Sequence, residues 1–118
     1  MPCLKIFTNI PKSAIPKNFV QTIIPVLSKC VKKPEEKFVV AISPDCILSV
    51  SAKDEPSVIA SIESIGNLGP KENQIISRDI TECVSKELGV DKNQIFITFY
   101  DLLPYNVAIN GATREAFY

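Results

Sequence analysis

The feature that most constrains this chain is an internal repeat. An offset of about 56 residues lays Val39-Val40-Ala41-Ile42-Ser43-Pro44-Asp45 onto Ile95-Phe96-Ile97-Thr98-Phe99-Tyr100-Asp101. The same offset lays Leu4, Ile6 and Thr8 onto Ala60, Ile62 and Ser64. Each half reads as strand, helix, strand. Leu4, Ile6 and Thr8 share one strand face and Cys3, Lys5 and Phe7 the other, until Asn9-Ile10-Pro11 breaks the run. From about Ser13 to Val31, Ile15, Phe19, Ile23, Val26, Leu27 and Cys30 recur at helical spacing, with Pro25 removing one backbone donor inside the pattern. Phe38 to Ser43 is rich in β-branched residues and predicts a strand, and Cys46 to Ser51 predicts a shorter one. In the second half the alternation from Val58 to Ile65 is a strand ended by Gly66. Gly69-Pro70 opens a helix whose stripe is Ile76, Ile80, Cys83, Val84 and Leu88, Gly89 lies just past its end, and Ile95 to Tyr100 is the last strand.

Two β-α-β units with right-handed crossovers give one four-stranded mixed sheet with both helices on one face, an α/β (α+β) fold. The expected organisation is a single domain over residues 1–118, with pseudo-repeats at about 2–51 and 58–109. A hydrophobic content of 46% suffices for one core. The second face of the sheet has no helix to cover it and is largely apolar or small, so a homo-oligomer is expected.

Charge and cysteine usage narrow the function. Thirteen Lys and Arg balance thirteen Asp and Glu, so no basic field draws nucleic acid or anionic lipid. The start, Met1-Pro2-Cys3-Leu4-Lys5, lacks the pattern of a secretory signal, and no apolar run approaches the roughly 20 residues of a spanning helix. Synthesis in the cytosol, with no membrane insertion, is the expectation. Cys3, Cys30, Cys46 and Cys83 are widely spaced in a chain without histidine, which argues against a metal site and for reduced thiols. No cofactor is implied.

Without histidine, proton transfer near neutral pH falls to a perturbed carboxylate, a lysine, a cysteine or the α-amino group. The α-amino group has an ordinary pKa of about 7.7–8.0, so a small shift makes it a base. The small residue after Met1 favours methionine removal, which leaves the ring nitrogen of Pro2 as the terminal amine, a secondary amine of fixed geometry. Alone, Met1-Pro2 reads first as a frayed terminus.

Several short elements give it context: Pro2 opening a strand, Thr8-Asn9-Ile10-Pro11, Lys33-Pro34 after the first helix, Ser61-Ile62-Glu63-Ser64-Ile65-Gly66, and Phe99-Tyr100-Asp101. Over essentially its whole length the chain resembles the macrophage migration inhibitory factor family, to which D-dopachrome tautomerase also belongs. The resemblance implies a homotrimer with active sites between subunits. It implies keto–enol tautomerisation of phenylpyruvate-type enols, small aromatic α-keto acids, with Pro2 as general base. Lys33 matches the lysine that binds the carboxylate or enolate oxygen and, as a nearby like charge, depresses the pKa of Pro2. Ile65 matches the residue whose amide contacts the carboxylate, with Ser64 beside it. Thr98 falls where a polar side chain comes from the adjacent subunit, and Lys37 where some members place a basic residue.

Departures from the family pattern bear on activity. Phe96 stands in place of a tyrosine, keeping a ring in the pocket without the phenolic donor, and Ile109 stands in place of a tryptophan. Ser57 and Ala60 replace the cysteines of a C-x-x-C pair, which removes thiol-oxidoreductase chemistry. The tail ends in Phe117 and Tyr118, two aromatics able to pack on a neighbour or cover a site. The resemblance also carries alternatives: a D-dopachrome-type tautomerase or decarboxylase, or a cytokine-like protein secreted without a signal peptide that binds a cell-surface receptor with little or no catalysis.

Overall fold

The structure is a computed structural model, described here over residues 1–117. Its strands are β1 (Cys3–Thr8), β2 (Val39–Ser43), β3 (Val58–Ser64) and β4 (Ile95–Asp101), in the sheet order β2-β1-β3-β4. The first helix, α1 (Phe19–Val31), connects β1 to β2, and the second, α2 (Pro70–Leu88), connects β3 to β4. Both pairs so joined are parallel, whereas β1 and β3 are antiparallel at the centre, so the sheet is mixed and the two β-α-β units meet back to back.

Alternation fixes the sides. Leu4, Ile6 and Thr8 of β1 and Val58, Ala60, Ile62 and Ser64 of β3 are buried. Against them α1 presses Phe19, Ile23, Leu27, Cys30 and Val31, and α2 presses Ile76, Ile80, Val84 and Leu88, forming one core. The opposite face runs in rows across the sheet: Val39, Cys3, Glu63, Tyr100; then Ala41, Lys5, Ser61, Thr98; then Ser43, Phe7, Ile59, Phe96. Val39, Phe7, Phe96 and Tyr100 on it are each about half exposed, as the sequence leads one to expect of an uncovered face.

Two local expectations need correction. The helical pattern from about Ser13 is not one helix: Lys12–Ala14 form a 3-10 turn and α1 begins at Phe19. Pro16 is the reason, because proline forces the residue before it out of the helical region, and Ile15 sits at φ −90°, ψ 125°. Cys46 to Ser51 is not a strand within the chain. Only Val50 bridges, to Lys53 across a tight turn; the Cys46 amide donates to the Thr8 carbonyl at 2.9 Å, and beyond it the segment pairs with neither free edge of the sheet, β2 or β4. Its Ile47 is fully exposed.

Periodicity also gives no hint of a small C-terminal hairpin, β5 (Ala108–Ile109) with β6 (Ala112–Thr113). Its turn is Asn110-Gly111, both at positive φ, a pair of residue types that accepts the left-handed backbone a two-residue hairpin requires. The hairpin folds the tail back, so that the Arg114 amide donates to the Val107 carbonyl at 2.8 Å.

Candidate active site

The end of α1 is built to present Lys33. Lys32 caps the helix in the left-handed region, its amide donating to Ser28 O at 3.0 Å, and the chain then reverses. Asn67 Nδ2 donates to the carbonyls of Val31 at 2.9 Å and Lys32 at 3.3 Å, while Ser28 Oγ donates to the Lys33 carbonyl at 2.6 Å. These bonds satisfy the last carbonyls of the helix and hold the turn. Lys33 is thereby carried to the end of β3, where its Nζ donates to the Ile65 carbonyl at 2.7 Å.

The Ser64-Ile65-Gly66 turn is equally fixed. Ser64 Oγ donates to the Gly66 carbonyl at 2.8 Å, and the Ser64 carbonyl accepts the Leu102 amide at 2.8 Å. The Gly66 amide donates to Asp101 Oδ1 at 3.1 Å, and Gly66 itself lies at φ +75°, where a side chain would strain the backbone. Asp101 is a supporting residue that the sequence reading leaves without a role.

Pro2 is buried beside this turn, and its carbonyl accepts the Val39 amide at 2.9 Å, so the chain start is tied to β2 rather than frayed. The amino group of Met1, one residue before Pro2, is held below its ordinary value, first by burial and then by the charges of Lys33, Arg114 and Lys37 in that order. Lys33 and Lys37, chosen from the sequence, are thus brought to the amino terminus together. Arg114 is the cation the sequence reading passes over. Its signal lay in the Asn110-Gly111 turn, which returns the tail toward the start of the chain.

A cavity of about 290 Å³ opens at the amino terminus, lined by Met1, Cys3, Val39, Glu63, Leu102 and the stretch from Asn106 to Ile109. Ile109 therefore stands at this pocket. Phe96 and Thr98 do not: they lie on the open face of β4, opposite Ile59 and Ser61 of β3, away from the cavity of their own chain. A larger groove of about 870 Å³ lies between Lys12–Val20 and the end of β2, but its lining includes no carboxylate, thiol or amino terminus.

Other chemistry finds little support. Burial, reinforced by Asp79, pushes the Cys30 thiol up to about 11, and burial also raises Cys3 and Cys83. Ser57 is buried, donates to Gln94 Oε1 at 2.8 Å, and accepts the Thr8 hydroxyl at its carbonyl at 2.8 Å, so it serves the core. Among the described residues no group of three His, Cys, Asp or Glu side chains could hold a metal ion, and no helix is long and apolar enough to cross a membrane. Phe117 lies under Arg114, 4.5 Å from guanidinium carbon to ring centroid; Tyr118 lies outside the described residues.

A back-to-back pair of β-α-β units, with both helices on one face of a mixed four-stranded sheet, defines the class of fold. Residues 1–115 match the model of the macrophage migration inhibitory factor (MIF) family, and the chain belongs to that family. It is 35% identical over 113 residues to the MIF-like protein mif-2 of Caenorhabditis elegans, covering 96% of this chain and 94% of that protein. It is 30% identical to the macrophage migration inhibitory factor of Xenopus tropicalis, over 96% and 98% of the two chains. Among solved structures, that of the macrophage migration inhibitory factor from Trichinella spiralis superposes with a TM-score of 0.90 at 27% identity, over 94% of this chain and 98% of that one.

Proposed function

We propose that this chain is a keto–enol tautomerase of phenylpyruvate-type enols, with the Pro2 nitrogen as its proton carrier once Met1 is removed. The observation that carries the reading is the partly buried amino group of Met1, next to Pro2, held below its ordinary pKa by burial and by the charges of Lys33, Arg114 and Lys37. Such an environment favours the neutral amine, which has a lone pair to accept a proton. In the direction from keto to enol, Pro2 removes the proton from the carbon next to the ketone, the electron pair moves to the carbonyl oxygen, and the protonated Pro2 delivers its proton to that oxygen. Ketonisation is the reverse. Lys33 stabilises the charge developing on the oxygen, and the Ile65 amide with Ser64 beside it receives the substrate carboxylate.

The site is completed in a trimer. The open face, the free edges of β2 and β4, and the unpaired segment around Ile47 all call for neighbours, and a closed ring satisfies every one alike. In such a ring Phe96 and Thr98 reach the cavity of the adjacent subunit.

Following enol phenylpyruvate as it ketonises tests the mechanism, with intact mass confirming that Met1 is gone. Equal rates for wild type and Pro2→Gly sink it, as does full activity in protein that retains Met1, whose amide-bound Pro2 nitrogen cannot take a proton. A second reading, a cytokine-like protein secreted without a signal peptide and acting on a cell-surface receptor, is favoured by the relatives named macrophage migration inhibitory factor. Receptor binding retained by Pro2→Gly separates the two roles.

A further inference from the structure

The groove of about 870 Å³ between Lys12–Val20 and the end of β2 has about three times the volume of the amino-terminal cavity. That volume lies within the range of about 300–1,000 Å³ usual for small-molecule sites. The groove opens past the carboxyl ends of the parallel strands β1 and β2, beside the start of α1, a position where α/β sheets commonly take ligands. Pro2 precedes β1, so the two cavities stand at opposite ends of the sheet. Ile42 in the groove wall pairs with Ile6, a core residue under the helices, which puts the groove on the helix side and not on the open face.

Its walls are preformed. Pro11 and Pro16 bracket the 3-10 turn, in which the Ala14 amide donates to the Pro11 carbonyl at 2.9 Å and the Ile15 amide to the Lys12 carbonyl at 3.1 Å. The Asp45 amide donates to the Ile10 carbonyl at 3.0 Å and ties the end of β2 to the same loop. Ile15, Pro16, Val20, Ile42 and Pro44 supply a half-buried aliphatic lining with no exposed ring among them. The charged groups in the lining are Lys12 and Lys17, both exposed and neither in an ion pair, and no Asp or Glu lines the groove. Helix α1 starts here with no side-chain cap and no acid in its first turn, so its dipole adds to the lysine charge. An aliphatic trough with positive charge of one sign only at its mouth is complementary to an amphipathic anion.

We propose that this groove binds a free medium-chain aliphatic carboxylate, its tail along Ile15, Pro16, Val20, Ile42 and Pro44 and its carboxylate held by Lys12 and Lys17. None of these residues belongs to the amino-terminal site, so the inference is independent of the tautomerase reading.

Calorimetry of the full chain with octanoate, decanoate and laurate, each below its micelle concentration, tests it. One carboxylate per chain is expected, binding about tenfold tighter for each two carbons added until the groove is full. Dodecyltrimethylammonium, with a tail of the same length and the opposite charge, should bind at least about tenfold more weakly than laurate. Lys12→Gln and Lys17→Gln, at exposed positions outside the core, should each weaken laurate by about two- to fivefold, and the double variant should narrow its advantage over the ammonium. Pro2→Gly should bind laurate as wild type does. Equal binding of laurate and the ammonium, an affinity indifferent to chain length, an unchanged affinity in the double variant, or no binding overturns the inference. So does loss of laurate binding in Pro2→Gly with retention in the double variant, which puts the ligand in the amino-terminal cavity. Each of these outcomes leaves the tautomerase reading to its own assay.

Discussion

A proline at position 2 is chemically ordinary until its surroundings are known. Burial, then Lys33, Arg114 and Lys37, lower the pKa of the Met1 amine; on the proposed mechanism the Pro2 amine freed by loss of Met1 meets the same cations, and a base with a lowered pKa is unprotonated down to a lower pH. We therefore expect the ascending limb of kcat/KM against pH to lie below the ordinary α-amino value. Lys33→Ala should move it to higher pH by more than Arg114→Gln, and Arg114→Gln by more than Lys37→Ala; a different order in the pH profiles contradicts the assignment. In the core, Ser57→Ala leaves Gln94 Oε1 without the Ser57 donor and should cost about 1–3 kcal/mol in urea unfolding. Residue types and short motifs single out Pro2 and Lys33 as candidates. Arg114 was not, because its importance comes from a turn that carries the tail back across the molecule.

At the level of elements, the α1 terminus shows how a hydrogen-bonded turn aims one side chain. Asn67 occupies the left-handed region at φ 63° and bonds the last carbonyls of α1, so both its backbone and its amide are used. Asn67→Ala loses both and should cost about 1 kcal/mol in stability while lowering kcat/KM through a less firmly placed Lys33. Asn67→Gly keeps the backbone and loses the amide, so kcat/KM should again fall, with a smaller change in melting temperature. Gly89, at φ 68° past the end of α2, should lose about 1 kcal/mol on mutation to alanine by thermal unfolding. The helices and paired strands were readable because each has one buried face and a matching period. Cys46 to Ser51 has a strand's composition but pairs with neither edge strand of its own sheet, and strand pairing is a property of two segments, not one.

The whole molecule has one face covered by its helices and one bare. Ile47 is fully exposed in the single chain, so Ile47→Asp should leave the core untouched yet weaken assembly. Sedimentation velocity is expected to show wild type at three times the chain mass and the variant shifted toward the monomer; identical profiles would exclude this segment from the interface. The sequence by itself determined the two β-α-β units, the apolar faces of their strands and helices, and the cluster of short motifs around Pro2, since periodicity and local chemistry are written residue by residue. Only the tertiary structure decided that β1 and β3 meet antiparallel, that Lys33 reaches the Ile65 carbonyl, and that the tail returns Arg114 to the chain start. Each of these joins segments far apart in the chain, and such pairings are selected by the packing of the whole core, not by any stretch read alone.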